Sequence, residues 1–451
     1  MTNRNARASS RPGGRVVFID QARALAITMM LVGHSLDRFL GEPWRSGEVY
    51  GDYQFVRGIT SALFLMVSGF SFVVASFGHW DDYVRWSPRL WGRVRRIALI
   101  LFLGYLLHIW APTLTQSIAW SSEVKLERFL RFDVLQNIGV GLLLLHLTAI
   151  AVRRRERFWI GALVLLGAVL LIAPYTYRPE VDAGLPAWLA PALNRYHYSL
   201  FPMVPFTGYL LCGAVFGSFF WTRRRAGDEW KVIAALAVAG VAFLGFEQFL
   251  RHGVEGGVFP YGARLPKMPG NTFARAGCAM LAISGLYLLG RAVLVLPRLS
   301  LILSKDSLTI YFVHLGLVYG GVSLPGLMRG SARSMTPAEV FTWIAALFAA
   351  MTLMALAIGK LREHRPRLLT GVRHFLLVGG LTAFLVWPRL TPARGALAAL
   401  VGLAFVLLRE RRRILEAGGE DPARAVLDFF LRLRRPRLRR PRAAGPAARP
   451  S

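Results

Sequence analysis

Two pairs of ionisable side chains in the first apolar segment have a spacing that suits chemistry. The segment "VVFIDQARALAITMMLVGHSLDRF" (16–39) carries Asp20 and Arg23 near its start and His34 and Asp37 near its end. Residues three apart share one face of a helix, so the members of each pair can interact directly. The 14 residues from Asp20 to His34 correspond to about 21 Å of helix, which predicts the two pairs at opposite faces of a membrane.

The second pair has the composition of a proton-transfer site. A carboxylate beside an imidazole orients the ring and raises its basicity, so Asp37 would make His34 a general base near neutral pH. A simple salt bridge from Asp37 to Arg38 or Arg57 is the alternative. For the first pair, we favour a structural ion pair that anchors the helix.

The composition is that of a polytopic membrane protein. The 451 residues are 54% hydrophobic and 18% charged, with a mean hydropathy of +0.43, whereas soluble proteins contain about 25% charged residues. Apolar stretches long enough to cross a bilayer recur along the chain. They lie approximately at 16–36, 57–77, 96–114, 133–152, 157–174, 200–221, 231–249, 272–296, 300–325, 338–359, 368–387 and 395–408. The last is short for a crossing, so we expect an all-α bundle of about eleven or twelve spans.

Clusters of Arg and Lys predict the orientation of the bundle. They lie at 89–96, 153–157, 222–225, 360–367 and 409–413, all on the side of the N-terminus if the spans alternate. By the positive-inside rule that side is cytoplasmic. The net charge of +30 therefore reflects topology rather than nucleic-acid binding, which we do not expect.

The predicted domain organisation is one membrane domain between two basic tails. Residues 1–15 resemble the start of a signal peptide, but the apolar run behind them is too long and lacks a cleavage signal, so we expect a retained cytoplasmic tail. The membrane domain covers 16–408. The tail 409–451 holds 13 Arg and 5 acidic residues and is expected to lie disordered against anionic lipid headgroups.

Several site classes find no support in the sequence. The two cysteines, Cys212 and Cys278, form neither a disulfide framework nor a zinc spacing. The nine histidines contain no HExxH-type pair, so no metal is expected. The lack of a Walker-type glycine loop argues against a primary pump.

Other polar residues inside or beside the spans are candidates for a shared site, because such groups are costly in lipid and face the bundle interior. Asp133, Gln136 and Asn137 lie on one face at the outer end of the fourth span and indicate a polar cavity. His314 falls in the middle of a span and is expected to point inward. The remaining outer candidates are Arg57 and His197.

Five stretches appear in an order that resembles a known family. They are "FIDQARALAITMMLVGHSLDRF", "ALFLMVSGFSF", "FDVLQNIGVGLLLL", "FPMVPFTGYLLCGAVFG" and "DSLTIYFVH". Together they resemble the heparan-α-glucosaminide N-acetyltransferase catalytic-domain family, over roughly residues 15 to 320. The sequence departs from the family pattern at Ala24 (usually Gly), Asn137 (usually Arg), Ser199 (often an acid) and Phe206 (usually Trp).

The resemblance implies acyl transfer across the membrane. An acyl-CoA, expected to be acetyl-CoA, would approach from the cytoplasm, and the acyl group would pass to a sugar or glycan on the outer face of a bacterial inner membrane. The family depends on an outer histidine near the first span, which matches His34 by position. Asp37 would assist His34 as base or acyl carrier, and Arg57, Gln136 or Asn137 would stabilise the oxyanion. Asp133, His197 and His314 are further expected to bind substrate.

The cofactor phosphates need cations at the inner face. The nearest cluster there is Arg89, Arg93, Arg95 and Arg96, which the positive-inside rule explains equally well. The alternative function is a transporter or flippase that uses buried His, Asp and Arg as a substrate or proton path. No half-to-half symmetry supports it, and the oligomeric state stays open.

Overall fold

The computed structural model describes residues 15–255, 271–292, 297–321, 324–325 and 332–386. From residue 17 to residue 255 the chain consists of helices and the connections between them. Its helices are α1 (Val17–Phe39), α2 (Glu48–Phe77), α3 (Trp80–Val84), α4 (Pro88–Leu106), α5 (Leu114–Ala119), α6 (Glu123–Leu130), α7 (Val134–Val152), α8 (Phe158–Thr176), α9 (Pro179–Ala183), α10 (Ala190–Leu193), α11 (Met203–Arg225) and α12 (Glu229–Glu255). Two 3₁₀ turns lie in the connections: Glu42–Trp44 between α1 and α2, and Arg155–Arg157 between α7 and α8.

The later elements continue this pattern. They are α13 (Thr272–Ala292), α14 (Pro297–Lys305), α15 (Ser307–Tyr319), the two-residue strands β1 (Gly320–Gly321) and β2 (Leu324–Pro325), and α16 (Pro337–His364). The chain divides into two compact units, Met1–Gly359 and Lys360–Ser451. The described part of the second unit consists of the end of α16, α17 (Pro366–His374), a π-helical turn (Phe375–Gly379) and α18 (Gly380–Val386).

Many of these helices meet the length and apolarity of a membrane span. Within the described ranges, α2, α7, α8, α11, α12, α13 and α16 do so, and the bent pair α14–α15 would make an eighth. Helix α1 has 23 residues and α4 has 19, but their charged side chains lower their apolarity. The prediction of an all-α polytopic bundle is confirmed, with seven or eight candidate spans in the described ranges where about eleven or twelve were expected over the whole chain. The predicted span 395–408 and both predicted tails, apart from Arg15, lie outside the described residues.

Helices α2 and α11 form the centre of the bundle. A side-chain carbon on Gly213 of α11 would lie 3.0 Å from the Cα of Met66 on α2, and one on Gly69 would lie 3.0 Å from the amide nitrogen of Ala214. Glycine at both positions therefore lets the two backbones approach closely, as small residues do in membrane helix pairs. Buried side chains such as Phe70 and Leu210 fill the core on either side of this contact.

Short elements cover the end of the bundle where α1 terminates, which we call the His34 end. The backbone amide of Gly41 donates to Met335 O (2.8 Å), and the amide of Met335 donates to Phe39 O (3.0 Å). Thr113 and Ser122 cap α5 and α6 by accepting from backbone amides. These caps satisfy helix-end donors that would otherwise lack partners, so short helices are stable there.

The break between α14 and α15 positions one residue of the candidate site. The two helices meet at Asp306 at an angle of 78°, and both pack against α1. As far as Tyr319, the single span predicted for 300–325 is therefore a bent pair of helices. Because of the bend, α15 runs beside the second half of α1 and carries His314 toward His34.

Candidate functional site

A cavity of about 520 Å³ opens at the His34 end of the bundle. It is lined by parts of α1, α2, α4, α7, α13 and α15 and by the segments that precede α7 and α11. Cavities of this size hold small organic ligands. The ionisable and amide side chains in the lining are His34, Asp37, Gln54, Arg57, His108, Arg131, Asp133, Gln136, Arg195, Arg275, Tyr311 and Tyr319.

His34 is hydrogen-bonded to His314 rather than to Asp37. Its Nδ1 lies 2.9 Å from Nε2 of His314, and the two rings are nearly coplanar, with an angle of 5° between them. His314 is fully buried and its Nδ1 lies 2.8 Å from the carbonyl oxygen of Ile310. The expected contact between Asp37 and His34 is therefore replaced by one between two histidines.

The hydrogen-bond partners assign the tautomer of both rings. A carbonyl oxygen only accepts, so Nδ1 of His314 carries the proton and its Nε2 holds a lone pair when the ring is neutral. Nδ1 of His34 must then donate to that lone pair. Nε2 of neutral His34 is left unprotonated, and His34 lines the cavity. This is the protonation state that a general base or a nucleophile requires.

Asp37 forms a separate cluster beside the imidazole. Its Oδ1 accepts from Nη1 of Arg57 at 3.0 Å, and its Oδ2 accepts from the hydroxyl of Tyr319 at 3.1 Å. The ring of Tyr319 lies edge-on to His34, with 5.7 Å between centroids. Asp37 therefore forms the salt bridge to Arg57 that was the alternative to its contact with His34.

A second polar cluster lies on another wall of the cavity. Oδ2 of Asp133 is 2.9 Å from Nε2 of His108 and 3.3 Å from Nε of Arg131. The side-chain oxygen of Gln136 accepts from the amide of Asp133 and so caps α7. Oδ1 of Asp133 has no hydrogen-bond partner among the described residues, and nor does the hydroxyl of Thr60, another lining residue. Both atoms are buried in the cavity wall.

Asn137, predicted as an oxyanion donor, does not line the cavity. Its Nδ2 donates to the carbonyl oxygens of Phe201 (3.2 Å) and Pro202 (3.0 Å), and its Oδ1 accepts from Thr207. Asn137 is fully buried. Its geometry is that of a brace between α7 and the start of α11, because all of these partners belong to the bundle itself.

His197 lies in a clasp outside the membrane spans. Its Nδ1 is 2.6 Å from Oε1 of Glu127 on α6, and its Nε2 is 3.0 Å from Oδ1 of Asp182 on α9. Partial burial lowers the pKa of His197, but the hydrogen bonds and charges of the two carboxylates outweigh burial and raise it. His197 is not among the cavity-lining residues. It joins α6 and α9 to the segment that carries Arg195 into the lining.

Asp20 and Arg23 form a closed network at the opposite end of α1. Arg23 lies 3.7 Å from Asp20 and donates to the hydroxyls of Ser304 (2.8 Å) and Ser71 (2.5 Å). Asp20 also accepts from Ser304 (2.6 Å) and pairs with Arg15. The predicted ion pair is therefore present, within a network that links α1, α2 and α14.

The four arginines predicted to bind the cofactor lie around the start of α4. Arg89 pairs with Asp82, and Arg93 donates to the hydroxyl of Ser76 (2.7 Å) while its guanidinium lies 3.7 Å from the ring centroid of Tyr83. Arg95 donates to a backbone oxygen of its own helix and is exposed, as is Arg96. Arg89 and Arg93 therefore have side-chain partners, whereas Arg95 and Arg96 remain accessible.

Several of the residues that line the cavity were not predicted from the sequence. His108 was assigned to a membrane span, but α4 ends at Leu106, so His108 lies beyond the helix and reaches Asp133. Arg275 stands in the first turn of α13, and nothing in the neighbouring sequence distinguished it. The cluster of Asp133 and Gln136 at the start of a span was the one signal that pointed to this wall.

The comparisons with known proteins agree with this membrane fold. No curated protein matches the chain. The family model described as "Heparan-alpha-glucosaminide N-acetyltransferase, catalytic" matches residues 15–252, which is 238 of the 451 residues. The match covers His34 and the Asp133 cluster, and it ends before the helix that carries His314. The chain therefore belongs to the heparan-alpha-glucosaminide N-acetyltransferase catalytic-domain family of membrane acetyltransferases.

Proposed function

We propose that this membrane protein transfers an acyl group, acetyl by family membership, from acyl-CoA to an amine or hydroxyl of a sugar or glycan. The observation that carries the proposal is the unprotonated Nε2 of His34 in a cavity of about 520 Å³. Acyl transfer needs a group with this property to accept a proton or to carry the acyl group.

Two routes use the same tautomer. In the first, Nε2 of His34 takes the proton of the acceptor amine or hydroxyl while that atom attacks the thioester carbonyl. In the second, Nε2 attacks the thioester carbonyl and expels CoA thiolate. The acceptor then attacks the acyl-imidazole, the bond from the acyl carbon to Nε2 breaks, and the freed Nε2 takes the proton of the acceptor. Both routes release CoA thiolate, and in both His314 holds Nδ1 of His34 in its donor role.

Arg57 is the proposed partner for the oxyanion that develops on the thioester carbonyl. It lines the same cavity as His34, and its Nη1 is occupied by Asp37 while its other N–H groups have no strong partner among the described side chains. A fixed cation or donor at this position stabilises charge that develops in the transition state. Asp37 would hold Arg57 in place, which differs from the role first expected for it.

The proposed direction of transfer follows from the charge distribution. With the N-terminus in the cytoplasm, the Asp20 end and the accessible Arg95 and Arg96 face the cytoplasmic acyl-CoA. The His34 end then faces the outside of a bacterial inner membrane, where cell-envelope glycans would be the acceptors. The described helices separate these two ends along α1 by most of a membrane thickness.

The test is transfer of labelled acetyl from acetyl-CoA by protein purified in detergent. A pool of amino sugars and cell-envelope glycans serves as acceptor, and mass spectrometry identifies the product. His34→Ala is expected to lower the rate by about 10²- to 10⁴-fold with an unchanged size-exclusion profile. The matched control is His252→Ala, since His252 is exposed on α12 and outside the cavity lining.

Retained transfer by His34→Ala would remove His34 from the reaction. Movement of the sugar across a liposome membrane with no acylated product would instead indicate the transporter function.

A further inference from the structure

The charges that line the cavity do not balance. Four arginines and two aspartates are among the lining residues. Arg57 is paired with Asp37 (3.0 Å) and Arg131 with Asp133 (3.3 Å). For the other two arginines, Arg195 and Arg275, no carboxylate within 4.0 Å is found in the described part of the chain.

Arg275 is built into the wall rather than extended into solvent. Its guanidinium packs against the backbone of Gly58 on α2, where a side-chain carbon would lie 2.7 Å from Nη2. Its Nε is buried and has no hydrogen-bond partner among the described residues. The carboxylate of Glu247, which faces the start of α13, is occupied by the amides of 273 and 274 and by Arg251.

Arg195 reaches the same cavity from the segment before α11. Its Nη2 donates to the backbone carbonyl of Leu200 at 3.0 Å, and its guanidinium lies 5.1 Å from the ring centroid of Phe206. A carbonyl and an aromatic ring orient the guanidinium without neutralising it. Partial desolvation lowers the pKa of Arg195, the hydroxyl of Tyr177 opposes that shift, and the positive charge of Arg275 adds to it.

Two unneutralised guanidinium groups in one recess form a binding site for an anion. Arginine presents a planar set of donors that matches a carboxylate or a phosphate, and such charge-assisted hydrogen bonds are stronger than neutral ones.

We propose that Arg195 and Arg275 bind a carboxylate or phosphate group on the acceptor, so that the acceptor is an acidic sugar or a sugar phosphate. The inference rests on the proposed function, because it assigns the acceptor to the cavity that contains His34. The anionic group and the reacting amine or hydroxyl would then be held in one recess, with the reacting group toward Nε2 of His34.

Binding tests the inference without relying on catalysis. The probes are methyl glucoside, glucuronic acid and glucose 6-phosphate, which share a hexose ring and differ in charge. Each is titrated at low salt into the His34→Ala protein, and its apparent Kd is obtained from the rise in unfolding temperature. The two acids are expected to bind about tenfold or more tightly than methyl glucoside. The tighter of the two identifies the anion as carboxylate or phosphate.

Variants connect that preference to the two arginines. Arg275→Gln and Arg195→Gln are each expected to weaken binding of the preferred acid by about tenfold and to leave methyl glucoside unchanged. Gly58→Ala keeps every charge but displaces the Arg275 guanidinium, so the same loss is expected. Arg333→Gln is the matched control, since Arg333 lies near the end of α1, pairs with Glu42 and is absent from the cavity lining.

Three outcomes would overturn the inference. They are equal affinity for neutral and acidic sugars, unchanged acid binding in both arginine variants, and a loss of CoA affinity in those variants with acid binding intact. Arg275→Lys replaces Arg275→Gln if the latter fails to fold, and its loss of the planar donor set is expected to weaken binding as well. Failure of acetyl transfer in a protein that binds acids through these arginines would overturn the proposed function alone.

Discussion

Both ends of α1 carry ionisable side chains, but the two ends differ in how many of their hydrogen-bonding groups have partners among the described residues. At one end, Asp20 and Arg23 contact each other and donate to or accept from Ser304, so the charged groups form a closed network. At the other, Asp37 is paired with Arg57, and His34 uses one nitrogen for His314 while the other is unprotonated. The second cluster borders a cavity, whereas the first lies inside helix packing.

This difference indicates which ion pair stabilises the fold and which pair is available for binding or catalysis. The side chains of Asp20 and Arg23 are 9% and 23% exposed, and those of Asp37 and Arg57 are 32% and 30% exposed. A buried ion pair is costly to break, because the remaining charge stays away from water. A partly exposed pair contributes little to stability, so its residues are available for binding and catalysis.

The largest effect on folding is expected from Asp20→Ala. The substitution leaves Arg23 and Arg15 without their shared carboxylate, and removing one partner of a buried pair costs about 3–5 kcal/mol. Unfolding in detergent, followed by tryptophan fluorescence, measures the free energy. Asp82→Ala is the control, because its pair with Arg89 is exposed and should contribute under about 1 kcal/mol. Similar losses in both variants would contradict the distinction between the two ends.

At the His34 end, Arg57→Gln should lower activity rather than stability. Loss of an oxyanion donor costs about 10²- to 10³-fold in kcat, whereas a partly exposed ion pair contributes about 1 kcal/mol or less to folding. Labelled acetyl transfer and unfolding are measured on the same preparation. Asp37→Asn retains the arginine and should lose less than tenfold. A variant that unfolds at much lower temperature but transfers normally would place Arg57 with the structural pairs.

An intermediate effect is expected at His314. His314→Leu removes the acceptor for Nδ1–H of His34, so the ring is no longer held in the productive tautomer, and kcat should fall about 10- to 100-fold, as for other groups that orient a histidine. In His314→Gln, the amide oxygen can accept the same hydrogen bond and should restore part of the rate. Equal loss in both variants would indicate that His314 serves only packing.

The smallest effect should appear at His197, and it should depend on pH. The two carboxylates raise the pKa of His197 in the folded protein, so its charged form stabilises the clasp fully below the unfolded pKa of about 6.5. That stabilisation is lost as the pH rises through the higher folded value. The difference in unfolding temperature between wild type and His197→Gln should therefore be larger at pH 6 than at pH 9. A difference that is constant or grows with pH would contradict the clasp.

Some features of the site were predictable because they are local. Hydropathy along the chain gave the helical segments, and the spacing of three residues placed Asp20 with Arg23 and predicted a polar outer end for α1. The resemblance to the acetyltransferase family rested on the same local stretches and is confirmed over residues 15–252. The roles of His34, Asp37 and the four arginines near α4 remain predictions.

Other features depend on contacts between distant helices. His34 and His314 are 280 residues apart in sequence, and α15 reaches α1 only through the 78° bend at Asp306. Asn137 looked like a site residue because it sits beside Gln136, but its side chain turns toward the start of α11. Sequence spacing assigns a helix face but cannot specify which neighbour that face contacts.

The sequence by itself determined that the chain is a helical membrane protein, that polar pairs lie at both ends of its first helix, and that its family is one of acetyltransferases. Periodicity, hydropathy and short motifs carry that information, because each depends on residues close together in the chain. The tertiary structure alone decided that His34 is held by a second histidine, that Asp37 pairs with Arg57, and that Arg195 and Arg275 share a recess. Those contacts follow from how separate helices pack and bend, and no local pattern records them.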